Sequence, residues 1–326
     1  MGITNYLQSN PVVKGYIFAF LATLGMSNVF IFSKAAMAEL DVIQFGFYWF
    51  GMALLWSLIF MLGTGKLKSI KSLNKRSKIL LIIIGIFELV AASTLFLAIE
   101  TVENPTVISF LHNLTPIFVT VLGISFLTER FNFIEGIGIL LTITGAFLIS
   151  YTGQKKLSEL FIDGTGLITI SSLFLSISIV IAKSRIKHID PSILMINRIS
   201  YIFIFAVLLM VYSGRSLEIS GTALFNVAAG SILGPFMTAL AQYSALKYIE
   251  ASRTMIIQAT RGLFVAIGAI IYLNILPEVM QIIGGTITIV GVIVITLGKR
   301  MMRASYSKAG AVPEDPLVRA ARGSKR

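Results

Sequence analysis

The chain has 326 residues, a formal net charge of +12 and no cysteine. Hydrophobic residues make up 56% of it and charged residues only 13%, against about 25% charged residues in soluble domains. A water-soluble globular fold is excluded because too few polar side chains are present to cover its surface, and the lack of cysteine excludes disulfides and thiolate metal sites.

Ten apolar segments follow one another along the chain. A helix needs about 20 apolar residues to cross the roughly 30 Å hydrocarbon core of a bilayer. Segments of this kind occupy residues 15–33, 42–62, 79–99, 104–127, 132–152, 164–183, 191–212, 224–246, 251–273 and 277–297. They predict an all-α polytopic membrane protein with ten transmembrane helices. A short N-terminal segment (1–14) precedes them, and a basic C-terminal tail (299–326), predicted to be disordered, follows.

The first five segments resemble the second five in sequence. Gly15, Ser27, Lys34 and Asp41 recur 149 residues later as Gly164, Ser176, Lys183 and Asp190. Further along, FLAIETVE (96–103) aligns with YSALKYIE (243–250). We therefore predict two five-helix repeats, 15–152 and 164–298, joined by a linker loop at 153–163. Because five is odd, the second repeat is inverted across the membrane, as in many secondary transporters.

Lysine and arginine residues are concentrated on one side of the predicted bilayer. With the N-terminus inside, 20 of them lie in cytoplasmic segments and four in external loops, which is the usual bias of membrane proteins. Both termini are therefore predicted to be cytoplasmic, in a multi-pass protein of the cell inner (plasma) membrane. Since this bias accounts for the positive charge, the expected partners are the lipid bilayer and a small-molecule substrate, not nucleic acid.

Short motifs in this sequence resemble those of EamA-type transporters of the drug/metabolite transporter superfamily. They are GMSNVF (25–30), LFLAIETV (95–102), LTPIF (114–118) and TER (128–130), together with glycine-rich patterns in the fifth and tenth segments. The resemblance covers nearly all of residues 14–298, with departures at Leu24, Trp49 and Gly262. It implies transport of amino acids, other metabolites or drugs, and it does not name the cargo.

Four glycines are predicted to be packing positions. Gly138 and Gly145 lie in the fifth segment, and Gly284 and Gly291 lie in the tenth. Glycine lets helices approach closely. The approach can join helices of one chain or of two chains, so a homodimer is one expected partner.

Ionisable residues inside the predicted helices are candidate site residues. A charge at bilayer depth costs from about 3 kcal/mol upward and rarely faces lipid. Glu88, in the middle of the third segment, is predicted to carry a proton or to bind a substrate cation, since desolvation favours its protonated form. The other interpretation is a structural ion pair or a neutral, hydrogen-bonded acid.

His112 lies in the middle of the fourth segment. Ser109, His112 and Pro116 share one helical face, and Pro116 is predicted to bend the helix around a cavity. His112 is therefore a candidate for substrate contact or proton relay. The alternative is a histidine packed against a neighbouring helix.

Arg261 lies in the middle of the ninth segment. Thr254, Gln258 and Arg261 form a polar stripe at helical spacing, and Gln258 matches His112 in the repeat. A guanidinium in this place suits a carboxylate or a phosphate. The alternative is a fixed salt bridge between Arg261 and Glu88.

Three further polar residues complete the candidates, namely Arg198, Asn113 and Gln242. Arg198 lies toward the cytoplasmic end of the seventh segment, where it contacts substrate or extends to the membrane interface. An interface position is also predicted for Arg253, and a place in the packing or in an interface belt for Trp49.

These features favour a secondary active transporter, an exporter of small polar metabolites such as amino acids, working by alternating access around a midplane cavity. A zwitterion or small anion fits the basic centre better than a lipophilic cation does. No catalytic residue, metal or cofactor is predicted, because paired histidines and nucleophile motifs are lacking; proton coupling stays open. The alternatives are a flippase for a lipid-linked or amphipathic substrate, a channel and, least favoured, a membrane-embedded enzyme.

Overall fold

The structure, a computed structural model, describes residues 11–71, 73–101, 108–109, 112–129, 131–150, 165–273 and 279–308. Most of these residues are helical, and none of them lies in a β-strand. A one-turn helix, Lys68–Lys71, lies between the second and third long helices. We number the long helices in chain order as α1 (Pro11–Ala36), α2 (Val42–Gly63), α3 (Lys75–Thr101), α4 (Leu114–Leu127), α5 (Phe133–Ser150), α6 (Thr165–Arg185), α7 (Pro191–Ser213), α8 (Gly221–Ser231, Ile232–Thr238 and Ala239–Tyr248), α9 (Ala251–Gln258 and Arg261–Leu273) and α10 (Val279–Lys308).

Seven helices in the described part of the chain are long and apolar enough to cross a membrane, namely α1, α2, α3, α6, α7, α8 and α9. Shorter apolar stretches lie in α4, α5 and α10. Large apolar side chains such as Leu62, Phe126 and Val211 are exposed on the outside of the bundle, where lipid would cover them. The chain is therefore a multi-pass helical membrane protein, while ten crossings stay a prediction.

The two aspartates that recur in the sequence cap equivalent helices. Asp41 accepts hydrogen bonds from the backbone N–H groups of Ile43 and Gln44 at the start of α2. Asp190 accepts one from the backbone N–H of Ser192 at the start of α7. A carboxylate at this position satisfies N–H groups that have no partner within the helix. The sequence repeat thus reflects a repeated structural role.

The two recurring lysines also hold equivalent places. The Lys34 ammonium donates to the carbonyl of Ile99 at the end of α3. The Lys183 ammonium donates to the carbonyls of Leu246 and Ile249 at the end of α8. A cation at a helix C-terminus compensates the unpaired carbonyls and the negative end of the helix dipole. Each lysine ties the first helix of its repeat to the end of the third helix of the same repeat.

Helix contacts follow the same two-fold relation. α3 packs against α6, and α8 packs against α1; likewise α4 packs against α6, and α9 packs against α1. The pairs α2 with α7, α4 with α9, and α5 with α10 each join equivalent helices. Exchanging each helix of the first repeat with its counterpart in the second therefore reproduces these contacts.

The four glycines lie where α5 and α10 pack against each other. A Cβ atom on Gly138 would come within 2.8 Å of the Gly291 carbonyl oxygen, and one on Gly145 within 2.5 Å of the Gly284 carbonyl oxygen. Backbone meets backbone at both points, so the helices approach closely. This contact joins the two halves of a single chain.

The interface position predicted for Arg253 is wrong. Its side chain is 3% exposed and forms ion pairs with Glu135 of α5 (2.6 Å) and with Glu250, and its guanidinium lies over the ring of Phe131. Two carboxylates and an aromatic ring replace the water that a free cation would require. At the far end of the chain, α10 continues to Lys308, past the predicted end of the last segment, and residues 309–326 lie outside the described residues.

Candidate functional site

Glu88 occupies the midpoint of α3 and is fully buried. Its Oε1 atom accepts hydrogen bonds from the Ser178 hydroxyl of α6 (2.8 Å) and the Tyr243 hydroxyl of α8 (2.8 Å). Its Oε2 atom faces Nη1 of Arg198 at 3.3 Å. Four helices thus meet at one carboxylate, which is why an acidic residue is tolerated inside an apolar segment.

The cation beside Glu88 is Arg198, not Arg261. The proposed extension of Arg198 to the membrane interface is wrong, because its side chain is only 16% exposed and is turned toward Glu88. The pair is incomplete, since Oε2 of Glu88 and Nε of Arg198 are buried without a hydrogen-bond partner. Part of the guanidinium therefore stays available to another acceptor.

Arg198 also lines a narrow cavity in the bundle. The cavity measures about 30 Å³, room for about two water molecules. Its wall is otherwise mostly apolar, with the rings of Trp49, Phe50 and Phe96 and the aliphatic side chains of Val29 and Leu95. The wall thus combines one cation with a mostly apolar surface.

One wall of the cavity comes from a distorted part of α8. Residues Ile232–Thr238 form a π-helical stretch with Pro235 inside it, and Gly234, Pro235 and Thr238 line the cavity. Proline removes a backbone donor and kinks a helix, and π-helical stretches are common at functional sites. A Cβ atom on Gly234 would meet the Trp49 ring at 3.1 Å, so glycine makes room for the indole.

A second buried cluster joins α4 and α9. The Arg261 guanidinium donates from Nη2 to the His112 carbonyl (2.8 Å) and to Oδ1 of Asn113 (2.9 Å). Within the described residues, Arg261 has no ion pair with a carboxylate, so its charge is held by neutral acceptors alone. Nε of Arg261 and both ring nitrogens of His112 are buried without a hydrogen-bond partner, and buried polar atoms without partners are costly.

A turn precedes a helical stretch on each side of this cluster. His112 and Asn113 form a turn just before α4, and Ala259 and Thr260 form a turn inside α9. The polar stripe predicted through Thr254, Gln258 and Arg261 is therefore not continuous, because Arg261 begins a new helical stretch. Interrupted helices near a binding site are a common feature of transporters, where they expose backbone dipoles.

The recurring serines bind the starts of both helical stretches in the same way. The Ser27 hydroxyl of α1 donates to the carbonyl of Arg261 (3.3 Å), and the Ser176 hydroxyl of α6 donates to the carbonyl of Thr115 (3.3 Å). Arg261 and Thr115 are equivalent residues at the starts of equivalent helical stretches. The two repeats thus reach across the centre in matching pairs.

Pro116 follows the turn at His112 and Asn113. It lies in the first turn of α4, which begins at Leu114, where the missing N–H has no helical partner to lose. The two glutamines approach each other, with Nε2 of Gln258 at 3.4 Å from Oε1 of Gln242. The structure therefore distributes the predicted site residues over the Glu88–Arg198 pair, the His112–Asn113–Arg261 cluster and the glutamine pair, with Pro116 in the first turn of α4.

Some residues of the site were not predicted from the sequence. Ser178 and Tyr243 bind Glu88, and Trp49 lines the cavity instead of serving packing alone. The serine-rich run of α6 and the Gly234–Pro235 pair in an apolar segment were the available signals. Among the described residues, no group of three or more histidine, aspartate or glutamate side chains could hold a metal ion.

Known proteins resemble this chain at the level of family and fold. The model of the EamA-like transporter family matches residues 13–151 and again residues 163–297. A solved structure, described only as the crystal structure of a protein, superimposes with a TM-score of 0.71 at 14% sequence identity, covering 87% of this chain and 97% of that one. No curated protein matches the sequence.

Proposed function

This chain belongs to the EamA-like transporter family of the drug/metabolite transporter superfamily, and we propose that it is a secondary active transporter of small metabolites that carry a carboxylate. The cargo class rests on one observation. Arg198 is a cation in the wall of an otherwise mostly apolar cavity, with its Nε atom free of protein partners. A planar guanidinium is the side chain best suited to a carboxylate.

Arg261 has a different role in this proposal. The sequence suggested it as the carboxylate ligand, but it already donates to two protein acceptors and does not line the cavity. We assign it to holding together the turn before α4 and the turn inside α9. Arg198 is then the residue that meets the substrate, and amino acids and other small carboxylates are the candidate cargoes.

The transport cycle that we propose is alternating access by two inverted five-helix repeats. Each repeat has an odd number of helices, and the basic residues lie mainly on one side of the predicted bilayer. Ten crossings with both termini in the cytoplasm follow from these two features. The matched roles of Asp41 with Asp190, and of Lys34 with Lys183, support equivalent halves. A cavity of about 30 Å³ is too small for a metabolite, so the bundle must open for the substrate to enter. Export stays a prediction of the resemblance.

Transport into proteoliposomes tests this function. We expect uptake of a labelled aliphatic carboxylate, 4-methylpentanoate, or of leucine, which has the same skeleton with an added ammonium group. Replacing Arg198 by Gln should lower uptake by about tenfold or more, because hydrogen bonds to a charged group contribute about 1.5–3 kcal/mol. The control is Arg215→Gln, which removes an exposed arginine paired with Asp41 and should leave uptake unchanged.

Two results would contradict the proposal. Equal uptake by Arg198→Gln and the unmodified protein would remove Arg198 from the site. Activity that appears only with a lipid-linked substrate would indicate the flippase alternative instead.

A further inference from the structure

We propose that a substrate carboxylate displaces Glu88 from Arg198, and that Glu88 then takes up one proton from water. One proton is bound together with each monoanionic substrate. This inference rests on the proposed function, because it requires a carboxylate to bind at Arg198. Beyond the proposed function, it names the proton as the coupling ion, Glu88 as the residue that carries it and cotransport as the direction of coupling.

Arg198 is shared between Glu88 and the cavity. It faces Oε2 of Glu88 through Nη1 at 3.3 Å, and the contact does not meet the geometry of a hydrogen bond. Its Nε atom has no partner, and the residue lines the cavity. A carboxylate that binds across Nε and a neighbouring Nη group would form two charge-assisted hydrogen bonds, which is stronger than the single contact that Glu88 makes. Competition at Arg198 favours the substrate.

Glu88 has suitable partners for both of its protonation states. Its Oε1 atom accepts from the hydroxyls of Ser178 and Tyr243, and these bonds persist when Oε2 carries a proton. Without Arg198, an ionised Glu88 would be a fully buried carboxylate held by two neutral hydroxyls. Burial penalises such a charge strongly, and a buried acid normally becomes neutral instead.

Other ionisable groups around α3 do not replace Arg198. Tyr201 of α7 packs its ring against Gly85, one turn from Glu88, and Tyr243 of α8 already donates to the carboxylate. The remaining ionisable side chains on the packed helices lie toward the helix ends. Tyr48 of α2 donates to the Leu217 carbonyl, and Lys34 of α1 donates to the Ile99 carbonyl. Lys183 of α6 donates to the carbonyls of Leu246 and Ile249.

The exchange keeps the charge of this site constant. Without substrate, Glu88 and Arg198 carry opposite charges that sum to zero. With a monoanion bound, Arg198 pairs with the substrate, and Glu88 is neutral, so the sum is again zero. A net charge buried in the membrane is costly in every conformation of the transport cycle, and this exchange avoids one.

The coupling is cotransport, since the proton and the anion are bound together. An inward proton gradient therefore drives inward transport, and export requires an outward gradient of the substrate.

A zwitterion gives a different proton count. Its carboxylate takes Arg198, and its ammonium group can pair with the released Glu88, so no proton is needed. Leucine and 4-methylpentanoate differ only in this ammonium group. The two compounds thus separate proton uptake at Glu88 from carboxylate binding at Arg198.

Infrared spectroscopy of the purified protein tests the step without any substrate. The carbonyl stretch of a protonated carboxyl group is distinct from that of a carboxylate. At neutral pH we expect no protonated-carboxyl band from Glu88 in the unmodified protein. The band should appear in Arg198→Gln and disappear again in the double variant that also carries Glu88→Gln. Arg198→Met keeps the length of the side chain without its charge, and it is the second variant if Arg198→Gln does not fold. A protonated Glu88 in the unmodified protein, or an ionised Glu88 in the arginine variants, would overturn the proposal.

Binding of the two probes tests the coupling itself. In the unmodified protein, raising the pH by one unit should weaken the apparent affinity for 4-methylpentanoate by up to about tenfold, since one proton is linked to binding. Glu88→Gln should remove this dependence while keeping the binding, and Glu100→Gln, an exposed acid at the end of the same helix, should retain it. Binding of leucine should show no such dependence.

The two proposals fail in different ways. If neither probe binds, the carboxylate site of the proposed function is wrong, while the infrared result on the arginine variants still decides whether Glu88 takes up a proton. If 4-methylpentanoate binds with an affinity that does not change with pH, the carboxylate site stands and proton coupling at Glu88 is refuted.

Discussion

Adding one methyl group to Gly138 should destabilise the protein, and adding one to Gly136 should not. Both residues lie in α5. A Cβ atom on Gly138 would come within 2.8 Å of the Gly291 carbonyl oxygen and of the Ile295 backbone nitrogen in α10, whereas a Cβ atom on Gly136 would meet no atom within 4 Å. The comparison therefore isolates the packing contact from the effect of alanine on the helix.

The magnitude follows from the kind of atom that is met. Backbone atoms of α10 cannot rotate away as a side chain can, so the helices must separate by a few tenths of an ångström along a tightly packed contact. Overpacking of this kind costs about 1–3 kcal/mol. Alanine in place of an exposed helical glycine stabilises by up to about 1 kcal/mol. The two variants should differ by about 1–4 kcal/mol in the free energy of unfolding.

Thermal unfolding of the two variants in detergent measures this difference in stability. Size-exclusion chromatography of the folded proteins compares their oligomeric states. We expect Gly138→Ala to unfold at lower temperature than the unmodified protein, Gly136→Ala to match or exceed it, and both to elute at the same position. Equal stability of the two variants would show that α5 and α10 are not in close contact. A change in elution confined to Gly138→Ala would instead indicate that this surface joins two chains.

Three further predictions follow from the helix ends. A reporter fused after the C-terminal end of α10 should read cytoplasmic, and an external reading would contradict the inverted ten-helix topology. Lys183→Met should lower the free energy of unfolding by about 1–3 kcal/mol because charged hydrogen bonds to two helix carbonyls are lost, whereas Lys187→Met, at an exposed position, should not; equal melting of the two variants would refute the capping role. Partial burial acts to raise the pKa of Asp190, but hydrogen bonds from Ser192 and the Lys66 ammonium outweigh it and lower the pKa. Its contribution to stability should therefore be present at neutral pH and be lost as the pH falls below about 4, so the melting temperature of Asp190→Asn should depend less on pH in that range, and an unchanged acid profile would refute the assignment.

Much of the architecture could be predicted from the chain because it depends on local properties. Hydrophobic segments of spanning length, basic residues in the loops and residues recurring at a fixed separation are all properties of the sequence itself. A helix cap requires a particular side chain at a particular place. Asp190 and Lys183 cap helices in the same way as Asp41 and Lys34, so the repeat is detectable in the sequence. Glu88 stood out for a similar reason, since an acid within an apolar helix needs partners wherever they come from.

Only the tertiary structure decided which partners those are. Arg198 and Arg261 were equally available to Glu88 by residue type, and their separation along the chain says nothing about which one reaches it. Packing of α7 against α3 brings Arg198 to Glu88, while Arg261, which follows the turn inside α9, contacts Asn113 just before α4. The cavity, likewise, exists because a π-helical stretch of α8 faces Trp49 of α2, and contacts between distant segments leave no local pattern in the sequence.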